Sequence, residues 1–220
     1  MYHPKSQYLP PLLPPNHPPA CLSGIQQRGE LRSVIVLLSG GVDSSLCAVT
    51  AGPTLHSCLQ VNYGQPAADQ ERAAAAALCA ALGVERVPLR AYHPGLAAMR
   101  TGVGVAGPRV VPGRNLWLLS LAVSHAAALG LAEVWIGCNA DDASNYPDCR
   151  PDFIAGLSTA SESAYGVRVV APLLHLTKRQ VIATWESRGH TLDTTWSCYE
   201  PNGAAPCGSC DACRLRTSSE

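Results

Sequence analysis

The chain carries little charge of either sign and has no long hydrophobic run. Only 15% of its 220 residues are charged, and 16 lysines and arginines balance 16 aspartates and glutamates. A protein that grips phosphate backbones needs a basic surface, so nucleic acid and anionic membranes are disfavoured as partners. No apolar stretch reaches the roughly eighteen uninterrupted residues of a membrane span. The length and a hydrophobic content of 47% instead predict a globular protein of one domain with an appendage.

The N-terminus lacks the apolar core of a secretory signal. Residues 1–19 contain seven prolines, which cannot form a helix interior and bring too little apolar mass to pack. We therefore expect a disordered or polyproline-like arm over 1–31, although a misassigned start codon would give the same pattern. Without a signal, a cytoplasmic location is expected, and the ten cysteines are expected to be reduced.

Strand and helix patterns alternate along the rest of the chain. Short apolar, β-branched runs predict strands at 33–38, 55–63, 84–89, 133–137 and 167–171. Helices are expected directly after the glycines near residue 40 and at 67–82, 115–129, 152–165 and 177–188, with Thr177 as a cap and a loop over 96–111. No internal repeat is present. The alternation predicts an α/β domain over 32–195, built on an open, mainly parallel sheet with helices on both faces, and a small C-terminal segment over 196–220.

The string SGGVDSS at 39–45 follows the first predicted strand and opens a helix. Glycines allow a tight turn there, and the N–H groups and positive dipole end of the helix suit phosphate. Serine hydroxyls can add donors, and Asp43 can cap the helix or hold Mg²⁺. The Walker pattern and its lysine are absent. An ordinary strand-to-helix turn is the competing interpretation, but the whole string resembles the loop of the PP-loop ATP pyrophosphatase superfamily.

Four cysteines lie close together near the C-terminus. Two C-x-x-C steps share one residue, and a further cysteine precedes them by nine positions, so four thiolates can surround one Zn²⁺. These are Cys198, Cys207, Cys210 and Cys213. Such a closed site leaves no position for substrate, and its role would be to fold a small polar segment. A disulfide pair and a redox C-x-x-C are the alternatives, and compartment and position along the chain disfavour them.

Two polar segments are candidates for the substrate site. The first is PGRN at 112–115, which opens a helix, and the second is residues 137–153, which follow a predicted strand. Ligands of open α/β sheets bind at the carboxyl ends of strands. The second segment would form a polar wall for a planar heterocycle from Asn139, Asp142, Ser144, Tyr146, Asp148 and Arg150. By composition alone, a solvated loop is the better explanation of this segment.

Taken together, the chain resembles the QueC family of 7-cyano-7-deazaguanine synthases, within the PP-loop superfamily. The strings that carry the resemblance between about residues 33 and 216 are SGGVDSS, VPGRN, YPDCRPDF, PLLHLTK and SCY followed by CGSCDACRLR. The resemblance implies a ligase that converts 7-carboxy-7-deazaguanine and ammonia to the nitrile with ATP and Mg²⁺, in queuosine biosynthesis. It also implies a structural zinc and a homodimer.

The resemblance assigns roles to particular residues. Catalytic roles fall to Asp43, Arg114 and Lys178, with Arg114 near the polyphosphate or the carboxylate and Lys178 stabilising charge. The ATP-binding segment comprises Leu38, Ser39, Gly40, Gly41, Val42, Asp43, Ser44, Ser45, Leu46, Cys47 and Ala48. Tyr146 and Asp148 would face the guanine-like edge. Cys149 needs no covalent role in this chemistry, because ammonia can attack an adenylate directly.

The chain departs from the family pattern at several positions. The family usually has YGQRH after its second strand, whereas this chain has Pro66 and Ala67 in place of the arginine and histidine. Val42, Leu46 and Ala171 are smaller departures. Two other functions stay open. The loss of the arginine and histidine would fit a QueC-like enzyme that transfers the deazaguanine acyl group to another amine, such as a protein N-terminus. The other is a non-catalytic zinc protein that binds a deazapurine, and the intact SGGVDSS string argues against it.

Overall fold

The computed structural model describes residues 33–91 and 111–217. The arm expected over 1–31 and, apart from Val111, the loop expected over 96–111 lie outside these residues. Across the two described ranges, no helix combines the length and the hydrophobicity needed to cross a bilayer.

Five parallel strands form one sheet in the order β3-β2-β1-β4-β5. The strands are β1 (Val34–Leu37), β2 (Leu55–Asn62), β3 (Glu85–Arg90), β4 (Glu133–Trp135) and β5 (Arg168–Val170). All five predicted strands are present within two residues of their expected ends. The prediction of an open parallel sheet is therefore confirmed.

Helices cover both faces of this sheet. They are α1 (Val42–Ala51), α2 (Ala68–Leu82), α3 (Arg114–Leu129), the single turn α4 (Asp142–Asn145), α5 (Pro151–Tyr165), α6 (Lys178–Ser187) and α7 (Asp211–Thr217). Short 3-10 helices lie at Gly52–Thr54, Pro147–Cys149 and Leu192–Thr194. Four of the five longer helices lie within one residue of their predicted ends, and the fifth, α1, begins directly after the glycines as expected.

Strand β1 shows how the two faces are packed. Its side chains alternate between opposite faces, as in any strand. Val34 and Val36 pack with α1, α2 and α6 on one face, whereas Ile35 and Leu37 pack with α3 and α5 on the other. Both faces of β1 are covered, so the strand is buried throughout. Such a strand needs apolar residues at every position, and β1 has them.

The strand order changes direction at β1, which has β2 on one side and β4 on the other. In such sheets the chain leaves neighbouring strand ends toward opposite faces, and a crevice opens between them at the carboxyl edge. The sequence after β1 is the glycine-containing turn of residues 39–45, called the glycine turn below. The fold thus places this turn at the edge where a ligand would bind.

Candidate active site

A cleft of about 350 Å³ opens at the carboxyl edge of the sheet. The glycine turn, the turn after β2, the first turn of α3 and the loop after β4 all border it. The start of α6 and the segment 196–217, called the cysteine segment below, complete its walls. Six stretches that are distant in sequence therefore meet around one cavity.

The glycine turn is held by its own serines. The Ser39 hydroxyl lies 3.1 Å from that of Ser44 and accepts the Gly41 N–H at 3.3 Å, and the Ser44 hydroxyl accepts the Ser39 N–H at 3.2 Å. Gly40 has a φ of +84°, and a Cβ there would lie 2.7 Å from the Glu71 carbonyl oxygen. Only glycine meets both requirements, so α2 can pack directly against the turn.

The predicted ATP-binding segment divides between cleft and core. Five of its members border the cleft: Leu38, Ser39, Gly41, Asp43 and Ser44. Val42, Ser45, Leu46, Cys47 and Ala48 are buried beneath it, and Gly40 contacts α2. The first turn of α1 therefore faces the cavity, and the buried residues fix its direction.

Asp43 and Lys178 form an ion pair in the cleft, although 135 positions separate them. Asn139, only 1% exposed, donates to Asp43 Oδ1 at 2.9 Å. The backbone N–H of Lys178 donates to Asp141 Oδ2 at 2.7 Å. The predicted cap Thr177 forms a capping box with Gln180 and starts α6 at this point, so the lysine is fixed by both its backbone and its ammonium group.

The loop after β4 lies directly against α1. A Cβ on Gly137 would be 2.7 Å from Ser44 N and 2.8 Å from the Asp43 carbonyl carbon, so only glycine allows this approach. Farther along the loop, Asp142 Oδ2 accepts the Asn139 N–H at 3.1 Å. Burial, with a smaller contribution from the charge of Asp43, raises the pKa of Asp142 to about 6.

Arg114, the first residue of α3, lies among three tyrosines. It hydrogen-bonds the side chain of Tyr63, and Tyr146 and Tyr199 are close enough to interact with its charge. Burial acts to lower the pKa of Arg114, but these phenol oxygens outweigh it and raise the pKa. A permanent cation is therefore held at the wall of the cleft.

Glu71 lies beside this cation, in the first turn of α2. Its carboxylate Oε2 accepts from Gln65 Nε2 at 2.7 Å. Burial raises the pKa of Glu71 to about 7, against the opposing effects of the Gln65 hydrogen bond and the charge of Arg114. The cleft thus contains a carboxyl that exchanges its proton near neutral pH.

The six residues of the predicted polar wall occupy different places. Asp142 and Tyr146 border the cleft, and Asn139 lies beneath it as the partner of Asp43. The Asp148 carboxylate accepts the backbone N–H of Asn115 at 2.9 Å and so joins the 137–153 segment to the start of α3. Ser144 and Arg150 are exposed and do not border the cleft, and Arg150 Nε donates to the Ala143 carbonyl.

The four predicted metal ligands are gathered into one cluster. The Sγ atoms of Cys198, Cys207, Cys210 and Cys213 all lie within 4.8 Å of one another. Tetrahedral Zn–S bonds of about 2.3 Å would separate the sulfurs by about 3.8 Å, and the Cys207–Cys213 pair is 3.9 Å apart. The backbone N–H and hydroxyl of Ser209 and the N–H of Cys210 lower the pKa of Cys207 to about 6. The cluster can hold a metal ion, as expected for four thiolates.

The cysteine segment also closes one side of the cleft. Trp196, Ser197, Tyr199 and Glu200 border the cavity, and the side chain of Tyr199 hydrogen-bonds that of Tyr146. The segment is also attached elsewhere, because Gln70 Nε2 donates to the Gly203 carbonyl at 2.7 Å. The C-terminal segment is therefore a wall of the cleft as well as a candidate metal centre.

The sequence-based site did not include Tyr63, Gln65, Glu71 or Tyr199, all of which border the cleft. Tyr63 and Gln65 follow the carboxyl end of β2, at the same edge as the glycine turn, and that position was an available signal. Glu71 lies on a helix whose alanine-rich pattern gives no hint of function. Tyr199 lies between two metal-ligand candidates, and the cysteine spacing there predicts only the metal site.

Comparison with known proteins identifies the family of this chain. The family model for "Queuosine biosynthesis protein QueC" matches residues 33–219. Proteins named 7-cyano-7-deazaguanine synthase are similar along most of the chain. The one from Koribacter versatilis is 37% identical, with 86% of this chain and 89% of that protein covered. The one from Novosphingobium aromaticivorans is 42% identical, with 83% and 87% covered.

Solved structures agree at the level of the fold. The U34-tRNA thiolase NcsA from Methanococcus maripaludis superimposes with a TM-score of 0.53 at 16% identity, and the match covers 86% of this chain and 64% of that protein. An NMN synthetase from Francisella tularensis gives 0.51 at 18% identity, with 83% and 71% covered. The family match over nearly all described residues is the stronger result, and the chain belongs to the QueC family.

Proposed function

We propose that this chain is a 7-cyano-7-deazaguanine synthase, a ligase that makes the nitrile from 7-carboxy-7-deazaguanine and ammonia at the expense of ATP. One observation carries the proposal: a single cleft contains the glycine turn, the Asp43–Lys178 pair and Arg114. The named synthases similar along most of the chain support the same reaction. ATP and the deazapurine are then its substrates in queuosine biosynthesis.

Adenylation is the first step that this cleft suits. A carboxylate does not react with ammonia until one of its oxygens becomes a good leaving group. The substrate carboxylate attacks the α-phosphorus of ATP, a new O–P bond forms, and pyrophosphate leaves. N–H donors at the start of α1 and the ammonium of Lys178 would stabilise the negative charge that builds up on the phosphates.

Ammonia then attacks the acyl carbon, and AMP leaves with the electron pair of the C–O bond. The amide that results is adenylated on its oxygen by a second ATP. Loss of AMP and of the remaining nitrogen-bound protons gives the nitrile. Both adenylation steps would use the same glycine turn to bind phosphates, so one cleft can serve the whole series of reactions.

The thiolate and carboxylate groups of the chain indicate which metal ions it would bind. Cys198, Cys207, Cys210 and Cys213 would hold a structural Zn²⁺, because four thiolates in tetrahedral range form a closed site. Asp43 would hold Mg²⁺ near the phosphates, and such an ion would neutralise their charge. Asp43 would then exchange part of its contact with Lys178 for the ion.

The heterocycle would lie along the wall formed by Asp142 and Tyr146. Asp142 can accept from ring and exocyclic N–H groups, and Tyr146 offers an aromatic face. The carboxylate of Asp148 is used by the backbone of Asn115, so we assign it to positioning this wall. We further propose that the protein acts in the cytoplasm as a homodimer.

The decisive experiment incubates the purified full chain with 7-carboxy-7-deazaguanine, ATP, Mg²⁺ and ammonium, followed by mass spectrometry. We expect the nitrile, with two AMP formed for each molecule. The variant Asp43→Asn is a matched control, because it keeps the size of the side chain but loses its charge. AMP release without amide or nitrile, together with an acyl product on an added amine or peptide, would instead identify the acyl-transfer alternative. Binding of the deazapurine without AMP release would identify the non-catalytic one.

A further inference from the structure

The proposed reaction needs a proton acceptor as well as a phosphate site. In neutral water most ammonia is present as ammonium, which has no lone pair to attack with. One proton must therefore leave before the C–N bond forms, and a second leaves after it. A side chain in the cleft whose pKa is near the working pH is the efficient acceptor for such transfers.

Glu71 is positioned for this task by its neighbours. Its backbone lies against Gly40 of the glycine turn, the residue borders the cleft, and its carboxyl is close enough to Arg114 to interact with that charge. Gln65 fixes the carboxyl, because Gln65 Oε1 accepts the Tyr63 N–H at 2.9 Å and its Nε2 must then donate to Glu71 Oε2. Glu71 therefore lies between the glycine turn and Arg114.

The hydrogen bond from Gln65 permits both protonation states of Glu71. The amide donates to Oε2 whether or not Oε1 carries a proton, so the carboxyl can gain and lose a proton without rearranging its support. The charged and titratable groups that face it are Arg114 from α3 and Tyr63 from the turn after β2. Burial raises its pKa to about 7, and this value agrees with the role that the geometry suggests.

The other carboxyl groups of the cleft have different partners. Asp43 is paired with Lys178 and accepts from Asn139, so its charge is already compensated. Asp142 accepts a backbone N–H and lies near the same lysine. Glu200 is exposed to solvent at the rim. The Glu71 carboxyl, by contrast, accepts from the neutral amide of Gln65.

We propose that Glu71 is the general base that activates the incoming nitrogen nucleophile, an inference that rests on the proposed function. The carboxylate takes a proton from ammonium, and the ammonia so formed attacks the acyl carbon of the adenylate. The C–N bond forms, and the C–O bond breaks with its electron pair leaving on AMP. The second proton passes to bulk water or to the departing phosphate.

The test separates the nitrogen-dependent step from adenylation in the full chain. Glu71→Gln keeps the size and the acceptor oxygen that Gln65 needs, but it removes the base. We expect ATP–pyrophosphate exchange with the carboxylate substrate, measured without ammonium, to stay within about twofold of wild type. Amide formation at neutral pH should fall by about 10²-fold or more. The loss should shrink as the pH rises and free ammonia replaces ammonium.

Asp142→Asn serves as the rival variant in the same assays. The inference is overturned if Glu71→Gln keeps the wild-type pH profile and the wild-type dependence on ammonium, if it loses exchange and amide formation equally, or if only Asp142→Asn shows the nitrogen-specific defect. A wild-type protein that forms neither amide nor nitrile would contradict the proposed function itself. The two failures are therefore distinguishable.

Discussion

The backbone N–H of Trp196 donates to the carbonyl oxygen of Gly40 at 2.8 Å. This bond attaches the cysteine segment to the glycine turn, and a Cβ on Gly41 would lie 3.4 Å from the Trp196 carbonyl oxygen. The Trp196 ring packs against the four-cysteine cluster, and its indole N–H donates to the Cys198 carbonyl at 2.9 Å. Trp196 therefore contacts both the cluster and the turn.

Removing the metal should therefore weaken ATP binding, although no cysteine of the cluster would touch ATP. A strong chelator, or the variant Cys210→Ser, should raise the dissociation constant for ATP at least tenfold, or about 1.4 kcal/mol. Titration calorimetry on the full chain measures this. Re-adding Zn²⁺ should restore binding to the chelated wild type but not to the variant. Unchanged affinity in the metal-free protein would show that the turn holds its shape alone.

Lys178 should matter for adenylation far more than its neighbour. Lys178→Met removes the cation paired with Asp43 and leaves that carboxylate uncompensated beside the phosphates. ATP–pyrophosphate exchange should fall by about 10²-fold or more. The control is Arg179→Gln, which removes an exposed cation from the same helical turn and should leave exchange nearly unchanged. Equal losses in both variants would indicate a general effect of positive charge on this helix.

The fold could be predicted well because its signals are local. Apolar, β-branched runs such as residues 33–38 are typical of strands buried on both faces, and Thr177 with Gln180 forms a capping box that sequence spacing reveals. The single turn α4 and the 3-10 helices were not predicted. They depend on side chains such as Asp142 meeting a particular backbone N–H, and a periodicity of two or 3.6 residues does not encode such contacts.

The candidate site was only partly predictable, since distant contacts decide what each polar side chain does. Asp148 and Asp142 look alike in the sequence, yet one binds the backbone of Asn115 and the other borders the cleft. Glu71 could not be distinguished from other helix-surface glutamates until its neighbours Gln65 and Arg114 were placed. Sequence spacing identifies ligands within one short segment, as with the cysteines, but not partners separated by a whole strand and helix.

The raised pKa of Glu71 should also make the free energy of unfolding depend on pH. A carboxyl whose folded pKa lies above its unfolded pKa favours folding below the unfolded value, near 4.5, and this contribution is lost as the pH rises through about 7. As the pH rises across that range, the free energy of unfolding of the wild type should thus fall by on the order of 2–3 kcal/mol because of this group. Glu71→Gln should flatten the dependence and be more stable than wild type at pH 8. Urea unfolding at several pH values checks this, and parallel curves for the two proteins would contradict it.

Two glycines provide a matched test of how tightly the loop after β4 presses on α1. Gly137→Ala places a Cβ 2.7 Å from Ser44 N, where the obstacle is backbone and cannot rotate away. The loop must shift, so we expect about 1–3 kcal/mol of destabilisation and weaker ATP binding. Gly156→Ala, in the middle of α5, meets nothing within 4 Å and should stabilise the protein by about 0.5–1 kcal/mol, because alanine is the better helix former. Thermal unfolding with and without ATP measures both, and a Gly137→Ala protein that binds ATP like wild type would show that the contact does not shape the cleft.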